Sequence, residues 1–145
     1  MWVVFLLLLL LHTLSLSVHA EDLGDLSANE FDQNSIADPF DAENSDDPNS
    51  ITNEFELGPY GNPYSPSSAT NFEGINAPRL YDQEGNDRGR LSVKAYDREW
   101  VSNPYGRCGS PYSPDSFNNR FGAGNPYRPS SPTNPYGRGL RIEGR

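Results

Sequence analysis

The sequence predicts a mostly disordered or irregular chain of β-turn repeats, with one small β element and an N-terminal signal helix. Three observations carry that expectation. An Asn-Pro-Tyr-Gly turn motif recurs through 103–139. Of the 125 residues beyond position 20, only 18 are Leu, Ile, Val or Phe, while 40 are Pro, Gly or Ser. An unbroken apolar run, 2–11, opens the chain.

The repeat has a physical basis. In Asn103-Pro104-Tyr105-Gly106 and Asn134-Pro135-Tyr136-Gly137 each position suits a type I turn. Asn bonds the backbone from the first corner, proline presets φ at the second, and glycine suits the fourth. Ser110-Pro111-Tyr112-Ser113 and Ser113-Pro114-Asp115-Ser116 put serine in the first place, and Asn119-Arg120-Phe121-Gly122 has lost the proline. Eroded copies run through the first half, at Asn29-Glu30-Phe31, Asp38-Pro39-Phe40, Asn53-Glu54-Phe55 and Asn62-Pro63-Tyr64. The stretch 62–70 matches 125–133 almost residue for residue, and Lys94-Ala95-Tyr96 reads as a further decayed unit.

The run 2–11 is shorter than the roughly 20 apolar residues of a membrane span, so 1–20 reads as a secretory signal peptide. Val18-His19-Ala20 fits a cleavage site after Ala20. Both histidines, His12 and His19, fall within that leader. The remaining apolar content is low against an ordering cost of roughly 1–2 kcal/mol per residue, which is why most of the chain is expected to stay unpacked.

Charge divides the chain beyond the leader. Residues 21–77 carry 13 acidic and no basic side chains, and 78–145 carry 11 basic against seven acidic. The two arms are either separately solvated or attract one another in a salt-sensitive way. The expected organisation is a signal peptide (1–20), an acidic disordered arm with degenerate repeats (21–76), a hairpin segment (77–102), the turn array (103–139) and a C-terminal strand or tail (140–145).

The β element is expected at about 78–94 plus 139–143. Leu80-Tyr81-Asp82 and Arg90-Leu91-Ser92-Val93 flank Gln83-Glu84-Gly85-Asn86, where glycine supplies positive φ. Leu91, Val93 and Ala95 alternate with polar residues, as on a half-buried strand. Leu140 and Ile142 show the same alternation and suit a third strand, and Trp100 and Val101 suit its cover.

Catalysis finds little to work with. Beyond the leader there is no histidine to pair with a serine or the one cysteine, and no nitrogen–sulfur set for zinc. No metal, cofactor or catalytic residue is therefore expected. The Asp/Asn-rich stretch 41–49 offers hard oxygens for weak calcium association only. Cys108 is either a neutral substitution or, in an oxidising compartment, a link to a second chain. Tyr105, Arg107, Tyr112, Tyr127, Arg128, Tyr136 and Arg138 are the candidate binding residues. Rings and guanidinium groups at turn corners suit stacking on a partner, the competing reading being that each ring packs on its own proline. Nucleic acid is not an expected partner for a net charge of −9, nor is a membrane once the leader is gone.

The block 77–145 resembles a group of uncharacterised bacterial secreted proteins. Their pattern is a short Leu-Tyr-Asp hairpin, then NPYG-x-x-G and SPYSPDS turn repeats, then a short apolar strand. Here it stands as 80–91, 103–139 and 140–144, departing at Asn119-Arg120-Phe121 and over 94–100. The resemblance implies export from a bacterium and brings no functional residues with it.

The leading expectation is a secreted, non-catalytic repeat protein of the bacterial envelope or exterior. It would act by weak multivalent contact with wall polymer, another envelope protein or itself. The alternative is a small folded binding module, with the array wrapped on a three-stranded sheet. A tyrosine-cross-linked wall protein is a further reading.

Overall fold

The hairpin loop sets the register of the sheet. In this computed structural model, which describes residues 20–36 and 59–145 of the chain, Asp82 turns the backbone back on itself. Its amide donates to the Asn86 carbonyl at 3.0 Å, and the Gly85 amide donates to the Asp82 carbonyl at 3.0 Å. Gly85 sits at φ +84°, the left-handed conformation anticipated there. The strands it joins, Arg79–Tyr81 and Asp87–Arg90, pair antiparallel. Including Glu21–Leu26 at the start and Leu140–Gly144 at the end, the strands are β1 (Glu21–Leu26), β2 (Arg79–Tyr81), β3 (Asp87–Arg90) and β4 (Leu140–Gly144). They form one antiparallel sheet in the order β1-β4-β2-β3. There is no helix among the described residues, and none long and apolar enough to cross a membrane. The expected signal helix lies outside the described residues.

Three expectations are corrected. The sheet has four strands, not three. β1 is built from an acidic, glycine-interrupted stretch with no strand propensity to announce it, and Gly24, at φ +98°, carries the irregularity in its pairing with β4. The second hairpin strand runs over Asp87–Arg90 instead of 90–93. The tight Asp82 turn pairs Tyr81 with Asp87, and Gly89, at φ +117°, brings the backbone against Cys108. A Cβ on Gly89 would lie 2.6 Å from that of Cys108. Val93 and Ala95 are then left exposed beyond the strand end. The third correction concerns order: the described turn repeats are hydrogen-bonded throughout and packed on the sheet.

Those repeats have a period of three residues. In 62–74, 94–106, 110–122 and 125–137, every third amide donates to the carbonyl three residues back, at 3.0–3.3 Å. Each turn ends on the residue that starts the next. The residues at every third place are mostly Asn, Ser, Asp or Gly, and all but Arg128 are buried or half-buried. In each unit the fourth such residue is an asparagine: Asn71, Asn103, Asn119 and Asn134. Its Nδ2 donates to the carbonyl six residues back, at 2.8–3.0 Å. The fifth is a glycine because the chain closes on itself there; a Cβ on Gly122 would lie 2.7 Å from the Pro114 carbonyl oxygen. Ser68, Ser116 and Ser131 occupy the third place and are fully buried.

The apolar core is small. Leu80, Val101, Cys108, Leu140 and Ile142 are buried together, with Leu23, Leu26, Ile36, Leu91, Trp100 and Phe117 packed around them. Trp100 and Val101 cover the sheet as the sequence suggests. So little apolar area holds the fold because the turns satisfy their own backbone groups, so that burying them leaves few polar groups unpaired. Proline at the corners also lowers the entropy lost on folding. Each sheet edge is bridged at one residue by a neighbouring segment. The Asp25 amide donates to the Asn34 carbonyl (2.6 Å) and its carbonyl accepts from Ile36 (2.9 Å). Arg90 does the same with Glu99 (2.7 Å) and Val101 (3.2 Å).

Candidate functional site

The three-residue period sorts the side chains by chemistry. In most turns the first place is buried or half-buried and holds a hydrogen-bonding residue, while the second and third places are more exposed; Arg128 at a first place and Val101 and Phe117 at second places depart from this. The third place is where the tyrosines fall. Each corner is fixed twice: the turn's first side chain accepts from the amide of the third residue. Asn103 does so for Tyr105 (3.0 Å), Ser110 for Tyr112 (3.3 Å), Asn125 for Tyr127 (3.0 Å) and Asn134 for Tyr136 (3.0 Å). The backbone under each ring is thus held while the ring stands free.

The rings are almost wholly exposed. Tyr105, Tyr112, Tyr127 and Tyr136 are 87–96 % accessible. Such exposure leaves little ring area to pack on a neighbouring proline. Phe31, Tyr64, Tyr96 and Phe121, named in the sequence as repeat copies but left out of the candidate binding set, stand at equivalent corners and are exposed to the same degree, 87–97 %. The available signal was the recurrent Asn-x-aromatic spacing itself, which continues outside 103–139. The array is therefore wider than the segment that announces it, and two rings flank each of the last three units.

The arginines are placed less uniformly. Arg107, Arg128 and Arg138 are exposed. Arg107 reaches Asp115 at 3.3 Å, and Asp115 also accepts from Arg88 at 3.2 Å. Arg138 lines a polar depression with Asp25, Asn29, Asp32 and Asn34. Among the described residues no cluster of three or more potential metal-ligating side chains occurs; the stretch 41–49 lies outside those residues.

Cys108 is not on this surface. It is fully buried in the core cluster, and that burial pushes its thiol above the usual range. Of the two readings of Cys108, burial supports the neutral substitution over the link to a second chain: the sulfur sits as a small core hydrophobe.

Two buried carboxylates behave oppositely. Asp82 accepts from the Glu84 and Asn86 amides at 3.1 and 2.7 Å, from the Asn86 side chain at 3.0 Å, and from Arg88 at 3.0 and 2.7 Å. Burial alone would raise its pKa, but the Asn86 and Arg88 bonds together outweigh it and hold the carboxyl below its ordinary value. Asp25 is raised to about 6, first by burial and then by repulsion from Asp32 and Asp22, with Arg138 and Arg141 only partly compensating. Because its folded value exceeds its unfolded one, Asp25 favours the folded state most below pH 4, and that contribution is lost as the pH rises towards 6 and beyond. Asp25→Asn is expected to stabilise the protein at pH 7 by about 1–3 kcal/mol and to change little at pH 3.5. Thermal melts at the two pH values check this; equal destabilisation at both would refute it.

No protein-family model, curated protein or solved structure matches this chain.

Proposed function

We propose that this chain is an exported, non-catalytic binding module that grips a repeating polymer of the cell wall or exterior through its corner rings. The single observation that supports this reading is the row of aromatic side chains standing almost fully exposed on hydrogen-bonded corners. Exposed aromatic area is costly to leave in water, and such surfaces mark interaction sites. One exposed stacking contact contributes only about 0.5–1 kcal/mol. A repeated array adds such contacts at high effective concentration, and a partner that is itself repetitive meets many of them at once. Export is read from the apolar leader, and a bacterial source from the resemblance of 77–145. The packing of the array on a sheet favours a folded module over an unpacked string.

Co-sedimentation of the mature chain with purified wall polysaccharide tests the reading. Replacing Tyr105, Tyr112, Tyr127 and Tyr136 together with serine is expected to weaken binding by more than tenfold, whereas any one replacement costs a few-fold. The melting temperature should stay unchanged, since the rings touch little of the fold. Undiminished binding by the fourfold variant would remove the array as the binding surface. Binding to the chain itself in place of glycan would transfer the reading to self-association.

A further inference from the structure

The same surface has a covalent chemistry open to it that does not depend on which polymer is bound. Six tyrosines stand at exposed corners: Tyr64, Tyr96, Tyr105, Tyr112, Tyr127 and Tyr136, all 87–96 % accessible. The remaining two differ. Tyr60 is buried and donates to Glu21 at 3.0 Å, and Tyr81 lies half-buried in β2.

Side chains that compete for oxidants are absent from the same surface. The one methionine is Met1, both histidines and Trp2 lie in the leader, and Cys108 is buried. Only Trp100 remains, half-buried against the core. Thiolate character and access govern sulfur oxidation, and Cys108 has neither. A one-electron oxidant meeting the processed chain therefore meets phenols first.

We infer that the exposed corner tyrosines are sites of oxidative coupling between chains, which a heme peroxidase with hydrogen peroxide would carry out to give dityrosine. Each of two phenols yields one electron and one proton to the oxidised heme, while the peroxide O–O bond is cleaved and its oxygens leave as two waters. The two phenoxyl radicals join by a carbon–carbon bond ortho to each oxygen. The two displaced ring hydrogens move to the oxygens, restoring both phenols with a net loss of two hydrogens.

The geometry suits this in two respects. A ring that is almost wholly exposed can meet a second ring from another molecule. Each ring is also fixed at its own corner by backbone bonds, so rings of one chain do not collapse onto one another. With more than two coupling sites per chain, the product is a network and not a dimer. Phe31 and Phe121 hold equivalent corners without a phenol and take no part.

The test is treatment of the folded mature chain with peroxide and a heme peroxidase. The expected result is blue dityrosine fluorescence and multimers that survive boiling detergent and reductant, with a mass loss of two hydrogens per link. Peptide mapping should place the links at the six corners and spare Tyr60 and Tyr81. Urea-unfolded chain should lose that selectivity. A variant with all six changed to Phe should melt as the parent does and stay monomeric. Multimers from that variant, links at Tyr60 as frequent as at the corners, or oxidation confined to Trp100 with no multimers would each overturn the inference.

Discussion

Replacing Asp82 with alanine is expected to destabilise the protein by about 3–5 kcal/mol, the usual consequence of stranding one member of a buried ion pair. The carboxylate side chain is 2 % accessible and Arg88 beside it 15 %. Removing it takes away the acceptor for two backbone amides, the Asn86 amide group and the Arg88 guanidinium at once. Arg88 would keep only its 3.2 Å contact with the more exposed Asp115. Because the loop closed by Asp82 sets the pairing of β2 with β3, the loss extends beyond the loop. Asp82→Asn retains the acceptor oxygen for the amides and loses the charge, so a smaller loss is expected. Urea titration of both variants is the measurement. Two variants within about 0.5 kcal/mol of the parent, a scatter ordinary for surface sites, would remove Asp82 from the account of stability.

Ile142→Ala is expected to cost about 2–5 kcal/mol, in the range of buried aliphatic truncations, and its effect should reach further. Ile142 is fully buried on β4, opposite Leu80 in the register with β2. Among the described residues the core cluster holds five buried members, so the cavity removes a large share of what the sheet offers the array. A typical domain has about 5–15 kcal/mol in hand, and one with so small a core belongs at the lower end. The consequence is specific: the amides of 103–139 should lose protection together with those of β4. If hydrogen exchange showed the array still protected after the sheet had opened, the turns would be stable alone and the packing argument would fail.

The turn chemistry was legible because it is local. Asn, Pro and Gly at fixed offsets prescribe a backbone that needs no partner, and Gly85 in the hairpin loop did the same. The strand at Leu140–Gly144 was legible from its alternation. β1 was not, because Glu21-Asp22-Leu23-Gly24-Asp25-Leu26 is chosen by its neighbour β4 and not by propensity. Order in the array was misjudged for a related reason. Counting Leu, Ile, Val and Phe assumes that burial needs apolar side chains, whereas here Ser68, Ser116 and Ser131 are buried with their hydroxyls hydrogen-bonded. The clue lay in the sequence as a three-residue recurrence of Asn, Ser and Gly, which the more conspicuous Asn-Pro-Tyr-Gly motif masks. For the candidate site, the seven residues named from 103–139 all lie on the exterior, but the corners at 31, 64, 96 and 121, legible as repeat copies, were left out of that set because it was drawn from the intact Pro-Tyr units of the basic half.

The bridged margins of the sheet have a bearing on how such a protein survives where it is expected to work. A β-sheet with a bare flank invites other copies to add strands to it. Here the backbone of 34–36 bridges one flank at Asp25 and that of 99–101 the other at Arg90. At those two points a neighbouring copy finds no open strand to extend, so contact between chains through the exposed tyrosines need not grow, strand by strand, into a fibril.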